Sequence, residues 1–198
     1  MEQISAKEPD LVEFRLDELN DTSLLDRIVK KKTCPVIATD KSGRLSTTPL
    51  LDKAAALGFD FIDIGLELDR SKERIKQLKS QGVQVIVSYH DYSRTPPVEE
   101  LGRALDAQRE MGGDICKIVT TANQPRDNLI VLDLLGREVS KTRLVAFAMG
   151  SAGTASRVLA PLFGAEFTFA SLTKASKTSE GQLSVDNLRS AWQILGIQ

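Results

Sequence analysis

Lys117 stands in the run ICKIVTT, where Ile115, Cys116, Ile118 and Val119 surround it with apolar side chains. An amine carried by such a strand into a low-dielectric interior loses solvation, its pKa falls, and the neutral form can condense with a ketone or aldehyde. The alternative is a strand lysine turned outward or paired with a carboxylate. His90, the single histidine of the chain, sits in SYHDY at the end of another apolar run. An imidazole titrates near ~6.5, so it can take up and return a proton at neutral pH. A hydrogen-bonded structural histidine is the competing reading. The strand-end position, with Lys117 on the next strand-like run, favours proton transfer.

Glu13 and Arg15 are two residues apart, which on a strand places them on one face. Charges that point jointly into an interior need each other or a ligand to offset desolvation, so either an ion-pair network or a substrate contact fits. Lys41 stands just after the second strand-like run, PVIAT. Arg157, in MGSAGTASR, opens a helix after a glycine-containing loop, where a guanidinium can fork onto a carboxylate or lie exposed in a first turn. The stretch LTKASKTSEGQLSVDN carries Ser176, Thr178 and Gln182. It reads as a flap over a site mouth or as an ordinary surface loop.

These residues need elements to hold them. Seven short apolar runs are predicted as strands: Leu11 to Asp17, Pro35 to Thr39, Phe59 to Leu68, Val83 to Tyr92, Ile115 to Thr121, Leu144 to Met149 and Phe167 to Leu172. Between and after them, helical periodicity covers Thr22 to Lys31, Pro49 to Leu57, Arg70 to Gln81, Val98 to Met111, Pro125 to Val139, Ala155 to Leu162 and Val185 to Leu195, with Gly58, Gly82, Gly112, Gly113 and Gly164 at the handovers. Strict alternation implies parallel strands with right-handed crossovers, and runs apolar on both faces imply a covered sheet. No GxGxxG or Walker motif occurs, which disfavours a dinucleotide-binding sheet and leaves a β/α barrel. A barrel has eight strands and typically ~250 residues; here seven are found in 198 residues, read as one domain over 1–198 lacking the usual first strand.

The chain carries 26 basic and 27 acidic residues, and its formal net charge of -1 advertises neither a nucleic acid nor a membrane partner. The run Lys30-Lys31-Lys32 reads as a solvated helix end. No stretch approaches the ~18 apolar residues of a membrane span, and the first ten residues lack the apolar core of an export signal. Cys34 and Cys116 are far apart, in apolar runs without CxxC spacing. They read as small core residues rather than a disulfide or zinc site, and a reducing cytoplasm suits them.

Five stretches taken together resemble the type I 3-dehydroquinate dehydratases: EFRLD from Glu13, VSYHD ending at Asp91, KIVT from Lys117, MGSAGTASR, and FGAEFTFASL followed by GQLSV. The resemblance covers nearly the whole chain. It implies an α/β fold, a (β/α)8 TIM-type barrel, and conversion of 3-dehydroquinate to 3-dehydroshikimate and water without metal or cofactor, within aromatic amino-acid biosynthesis. In that pattern Lys117 is the Schiff-base lysine and His90 the general acid/base. Glu13 and Arg15 contact substrate, Arg157 binds its carboxylate, and Gln182 is the lid glutamine.

Three departures follow from the same comparison. The family's arginine followed by Glu-Gly-Gly is here TDKSGRLS, so Lys41 stands in for the arginine and the glutamate has no counterpart as a partner for His90. The lid has two extra residues before Gln182, so Ser176 or Thr178 supplies its hydroxyl. The first strand and most of the first helix of the family are lacking, and a homodimer is left open. Two other readings use the same residues: a class I aldolase-like barrel, and a degenerate barrel that binds a metabolite or a partner. The polar lid and Arg157, rather than a phosphate cradle, favour a carboxylate substrate.

Overall fold

A computed structural model describes residues 4, 6–19, 21–41, 48–66 and 72–196. Within them six strands alternate with α-helices: β1 (Val12–Arg15), α1 (Leu24–Lys31), β2 (Val36–Thr39), α2 (Thr48–Leu57), β3 (Phe61–Gly65), α3 (Lys72–Ser80), β4 (Gln84–His90), α4 (Val98–Met111), β5 (Ile115–Thr121), α5 (Asp127–Glu138), β6 (Leu144–Met149), α6 (Thr154–Leu159) and α7 (Val185–Leu195). The fold is α/β, as expected. The strands succeed one another in chain order, β1 to β6, and β1 with β2, β2 with β3, β3 with β4 and β5 with β6 pair in parallel. A parallel neighbour requires a crossover, and the intervening helices provide it. No helix among the described residues is long and apolar enough to cross a membrane.

The chain gathers into two compact units, Met1–Ser88 with Gln108–Ile115, and Tyr89–Ala107 with Cys116–Gln198. In the first, Val36, Ala38, Ile62, Ile64, Val85 and Val87 pack with Leu25, Ile28, Leu51 and Ile75 from the helices. In the second, Cys116, Ile118, Leu144, Ala146 and Ala148 pack with Leu101, Val131 and Leu135. Every strand member of these two cores is separated from the next by one residue. One face of each strand is therefore covered by helices, and the residues between them point to the other face.

Local chemistry sets the element ends. Ahead of α1 the Asp21 carboxylate accepts from the Ser23 N–H at 2.8 Å and hydroxyl at 2.7 Å, and Lys30 and Lys31 occupy the last turn, where cations suit the dipole. Lys32 is not merely solvated, because its Nζ meets Asp60 at 2.7 Å. Asp60 also accepts from the Val36 N–H at 2.8 Å, which ties the end of α1 to the start of β2. Gly58 closes α2 with φ +97°, a left-handed turn that a side chain would strain. Cys116 is buried and Cys34 half-buried, both as free thiols.

Two expected elements differ. The helix predicted to Leu162 ends at Leu159 and continues as a 3-10 turn over Ala160–Phe163, because Pro161 has no N–H to continue the α-helical ladder. Phe167 to Leu172, expected as the seventh strand, forms none; only Ser171 makes an isolated parallel bridge, to Ser184. The alternation there belongs to an extended segment without a ladder. Thr168 Oγ1 donates to the Arg157 carbonyl at 2.9 Å, and Phe167 and Phe169 turn their rings to one another. Of the expected strand Phe59 to Leu68 and helix Arg70 to Gln81, residues 67–71 lie outside the described residues.

Candidate active site

In the first unit the face opposite the helix-packed core carries a polar cluster beside Ile37 and Ile86. Arg15 pairs with Thr39, and Thr39 pairs with Asp63; Gly65 pairs with Ser88. Glu13, Arg15, Thr39, Asp63 and Ser88 thus share one face, and Lys41 joins them from the end of β2. Thr39 Oγ1 donates to Glu13 at 2.8 Å. Arg15 grips both oxygens of Asp17 through Nε at 3.0 Å and Nη2 at 2.6 Å, and the Lys41 N–H donates to the same carboxylate at 3.2 Å. Burial pulls the Asp17 carboxyl upward, but the Arg15 and Lys41 hydrogen bonds and the Arg15 charge hold it below the ordinary value.

Asp63 and Ser88 are fully buried. Lys41 Nζ donates to Asp63 at 3.2 Å and to Ser88 Oγ at 3.0 Å, and the Ser88 hydroxyl donates to Asp63 at 2.6 Å. The lysine that follows β2 is thereby fixed by a carboxylate from β3 and a hydroxyl from β4. Sequence reasoning missed both. A charge within the apolar run FIDIG was the available signal for Asp63, of the same kind that singled out Lys117; Ser88 had none.

In the second unit Lys117 pairs with Val145, and Val119 with Phe147, in the β5–β6 register. These four lie on the face opposite Cys116 and Ile118, so Lys117 is not a helix-facing or outward residue. It is 4% exposed, and its Nζ lies 4.4 Å from the centroid of the Phe169 ring. His90 is half-buried at the end of β4 and stacks on Tyr92, with centroids 5.6 Å apart. The Asp91 N–H donates to the Val119 carbonyl at 2.9 Å, which sets the end of β4 beside β5, the strand of Lys117. Asp91 itself fastens the loop, accepting from the Ser93 N–H and hydroxyl and the Arg94 N–H at 2.7 to 2.9 Å.

Arg157 is 3% exposed. Its guanidinium lies 4.2 Å from the centroid of the Phe147 ring, and Nη2 donates to Ser179 Oγ at 2.8 Å. Its buried Nε has no hydrogen-bond partner among the described residues. Burial pushes its pKa down to about 10, the mark of a cation whose solvation has been removed and not fully replaced. A carboxylate would offset that cost.

The loop after Ser171 closes against the β6–α6 connection. The Gly150 N–H donates to Glu180 O at 3.1 Å and Thr154 Oγ1 to Gly181 O at 3.1 Å. Gly181 has φ +76°, and a Cβ there would collide with the Gly150 carbonyl. Of the residues expected here, Gln182 is buried and its Oε1 accepts from the Thr178 N–H at 2.9 Å and Oγ1 at 3.3 Å. Ser176 is exposed and folds back on Thr173, accepting from its N–H at 2.8 Å. The hydroxyl brought to Arg157 is that of Ser179, which the spacing alone did not single out. Among the described residues no group of three or more His, Cys, Asp or Glu could hold a metal ion.

The family model for type I 3-dehydroquinase matches residues 1–198. The 3-dehydroquinate dehydratase of Methanocaldococcus jannaschii is 32% identical over 200 residues, spanning 96% of this chain and 89% of that relative. That of Methanothermobacter thermautotrophicus is 36% identical over 190 residues, spanning 91% and 82%. The crystal structure of 3-dehydroquinate dehydratase from Geobacillus kaustophilus matches with a TM-score of 0.87 at 25% identity, covering 98% of this chain and 84% of that one. The expected TIM-type (β/α) fold is therefore the fold of this chain.

Proposed function

Because the chain belongs to the type I 3-dehydroquinase family, we propose that it dehydrates 3-dehydroquinate to 3-dehydroshikimate through an imine on Lys117, with His90 moving the protons. The observation that carries this reading is the placement of Lys117, almost wholly excluded from water on the strand face opposite the helix-packed core. An amine sheltered there meets a bound carbonyl away from competing water.

The neutral amine adds to the C3 ketone, and the carbinolamine hydroxyl takes a proton from His90 and leaves as water, so that a protonated imine remains and His90 is neutral. That cation withdraws electrons, so a proton at C2 can pass to His90 while the C–H pair forms an enamine. The enamine pair then expels the C1 hydroxyl, which leaves as water with the proton from His90. One water hydrolyses the resulting protonated imine, frees the Lys117 amine and returns the proton to His90, so the net change is loss of one water. The imine itself is the electron sink, and the chemistry calls on no metal. Glu13, Arg15 and Lys41 serve the substrate hydroxyls, Arg157 its carboxylate, and Gln182 with a loop hydroxyl covers it. This places the enzyme in the shikimate route to aromatic amino acids.

The test is incubation with 3-dehydroquinate and borohydride, followed by intact mass and peptide mapping. A reduced adduct on the peptide holding Lys117 is expected, and its persistence in Lys117→Ala would eliminate the nucleophile. His90→Ala should still form the adduct slowly while turnover falls roughly 10²–10⁴-fold; near-normal turnover would move the proton transfer to another group. Growth of the ultraviolet absorbance of the conjugated product distinguishes dehydration from carbon–carbon cleavage.

A further inference from the structure

Two phenylalanines that the proposed chemistry does not use join its buried amine and its buried guanidinium. Lys117 Nζ sits over the Phe169 ring, 4.4 Å from its centroid. Phe169 lies 5.8 Å from Phe147 at an interplanar angle of 57°, and the Arg157 guanidinium sits 4.2 Å from the Phe147 centroid. Phe167 closes on Phe169 from 5.5 Å at 70°. A ring is negative on its face and positive at its edge, so cations over faces and tilted rings beside one another satisfy the same charge pattern.

From this array we infer that Phe169 and Phe147 are positioning residues: Phe169 sets the place of the Lys117 nitrogen, Phe147 the plane of Arg157, and their mutual contact the spacing between nucleophile and anion clamp. The inference rests on the imine reading above. The nitrogen becomes cationic in the protonated imine, so the ring face that lies against the amine before condensation holds the charge that condensation creates. Arg157 has few other constraints, since Ser179 engages Nη2 and Nε is unpartnered. A flat ring against the guanidinium then fixes the plane in which it meets a carboxylate. Misplacement by about an ångström is enough to cost orders of magnitude in rate.

The two roles separate in kinetics. Phe169→Leu keeps an apolar side chain of similar reach but removes the ring face. It is expected to lower kcat and the rate of borohydride-trapped adduct formation at saturating 3-dehydroquinate roughly tenfold, with KM within about twofold. Phe169→Tyr restores both. Phe147→Leu raises KM roughly tenfold with kcat retained, and the double variant loses less than the product of the single losses because the rings share a contact. Circular dichroism checks folding, and Phe169→Met replaces Phe169→Leu if the latter does not accumulate. Equal effects of the two substitutions on kcat and KM, no effect of either, or a folded Phe169→Tyr that fails to restore would overturn the inference. Absence of any adduct and turnover in the unaltered protein would instead overturn the imine reading.

Discussion

In the first unit charged side chains answer one another: Arg15 grips Asp17, and Lys41 is held by Asp63 and Ser88. In the second, Lys117 and Arg157 each lie over an aromatic face, and Arg157 donates to Ser179 while keeping one donor unpartnered. Both clusters lie against the strand face opposite a helix-packed core, so burial is common to them, while the unpartnered guanidinium donor belongs to the second. A cluster that satisfies its own charges is organised before a ligand arrives. A buried guanidinium with an unpartnered nitrogen, as in Arg157, carries a cost that an anion removes, and so is poised for one.

The sharpest break of this contrast is Lys117→Ala, which is expected to lower kcat by about 10⁴-fold or more, measured by product absorbance. Residual turnover near that of the unaltered protein would reduce the aromatic cradle to a packing feature. Next comes Asp63→Leu, which leaves Lys41 without its carboxylate and should destabilise folding by about 3–5 kcal/mol in urea unfolding. Lys41→Met combined with Asp63→Leu recovers much of that loss if the pair acts as a unit, and a double variant as unstable as Asp63→Leu would show that Asp63 serves other groups.

A smaller effect is expected from Arg157→Met. KM should rise roughly 10- to 100-fold, as for loss of a charged hydrogen-bonded contact, while the free protein melts no lower than before. The sign follows from the pKa pushed down to about 10. A base whose folded pKa lies below its unfolded value opposes folding when protonated. Below about pH 10 both states hold the proton and the cost is complete; stability from this group rises only as pH climbs from there toward the unfolded value. At neutral pH, then, removing the charge does not destabilise the free enzyme. A large fall in melting temperature with unchanged KM would make Arg157 a structural cation.

The least expected change is that of Asp17→Asn, about 1–2 kcal/mol at neutral pH from the lost charged hydrogen bonds. Because the folded carboxyl lies below its ordinary 3.8, its contribution is complete above that value and disappears as pH falls through the lower folded pKa. The substitution should therefore flatten the acid side of the stability profile below about pH 4. An unchanged acid limb would show that the Arg15 clamp is not what resists protonation.

Much of this was readable from single residues. Lys117 stood out because a charge in a run of Ile, Cys and Val is costly wherever it is buried, and six of the seven predicted strands are present with the helices between them. Phe167 to Leu172 misled because alternation of apolar residues is equally the pattern of an extended segment packing rings. Asp63 lay within a strand that was correctly read, yet its partner Lys41 is 22 residues away, and no local spacing encodes that meeting. Ser179 came to Arg157 through the close approach of Gly181 to Gly150, a matter of backbone fit between two loops.

The order and type of the elements, the buried amine and the strand-end imidazole were determined by the amino-acid sequence, since periodicity and desolvation act over a few neighbouring residues. Which face of β5 carries Lys117, which ring lies over its nitrogen, and which hydroxyl meets Arg157 were decided by strand register and loop closure. Those are long-range contacts between segments whose residues bear no local mark of one another.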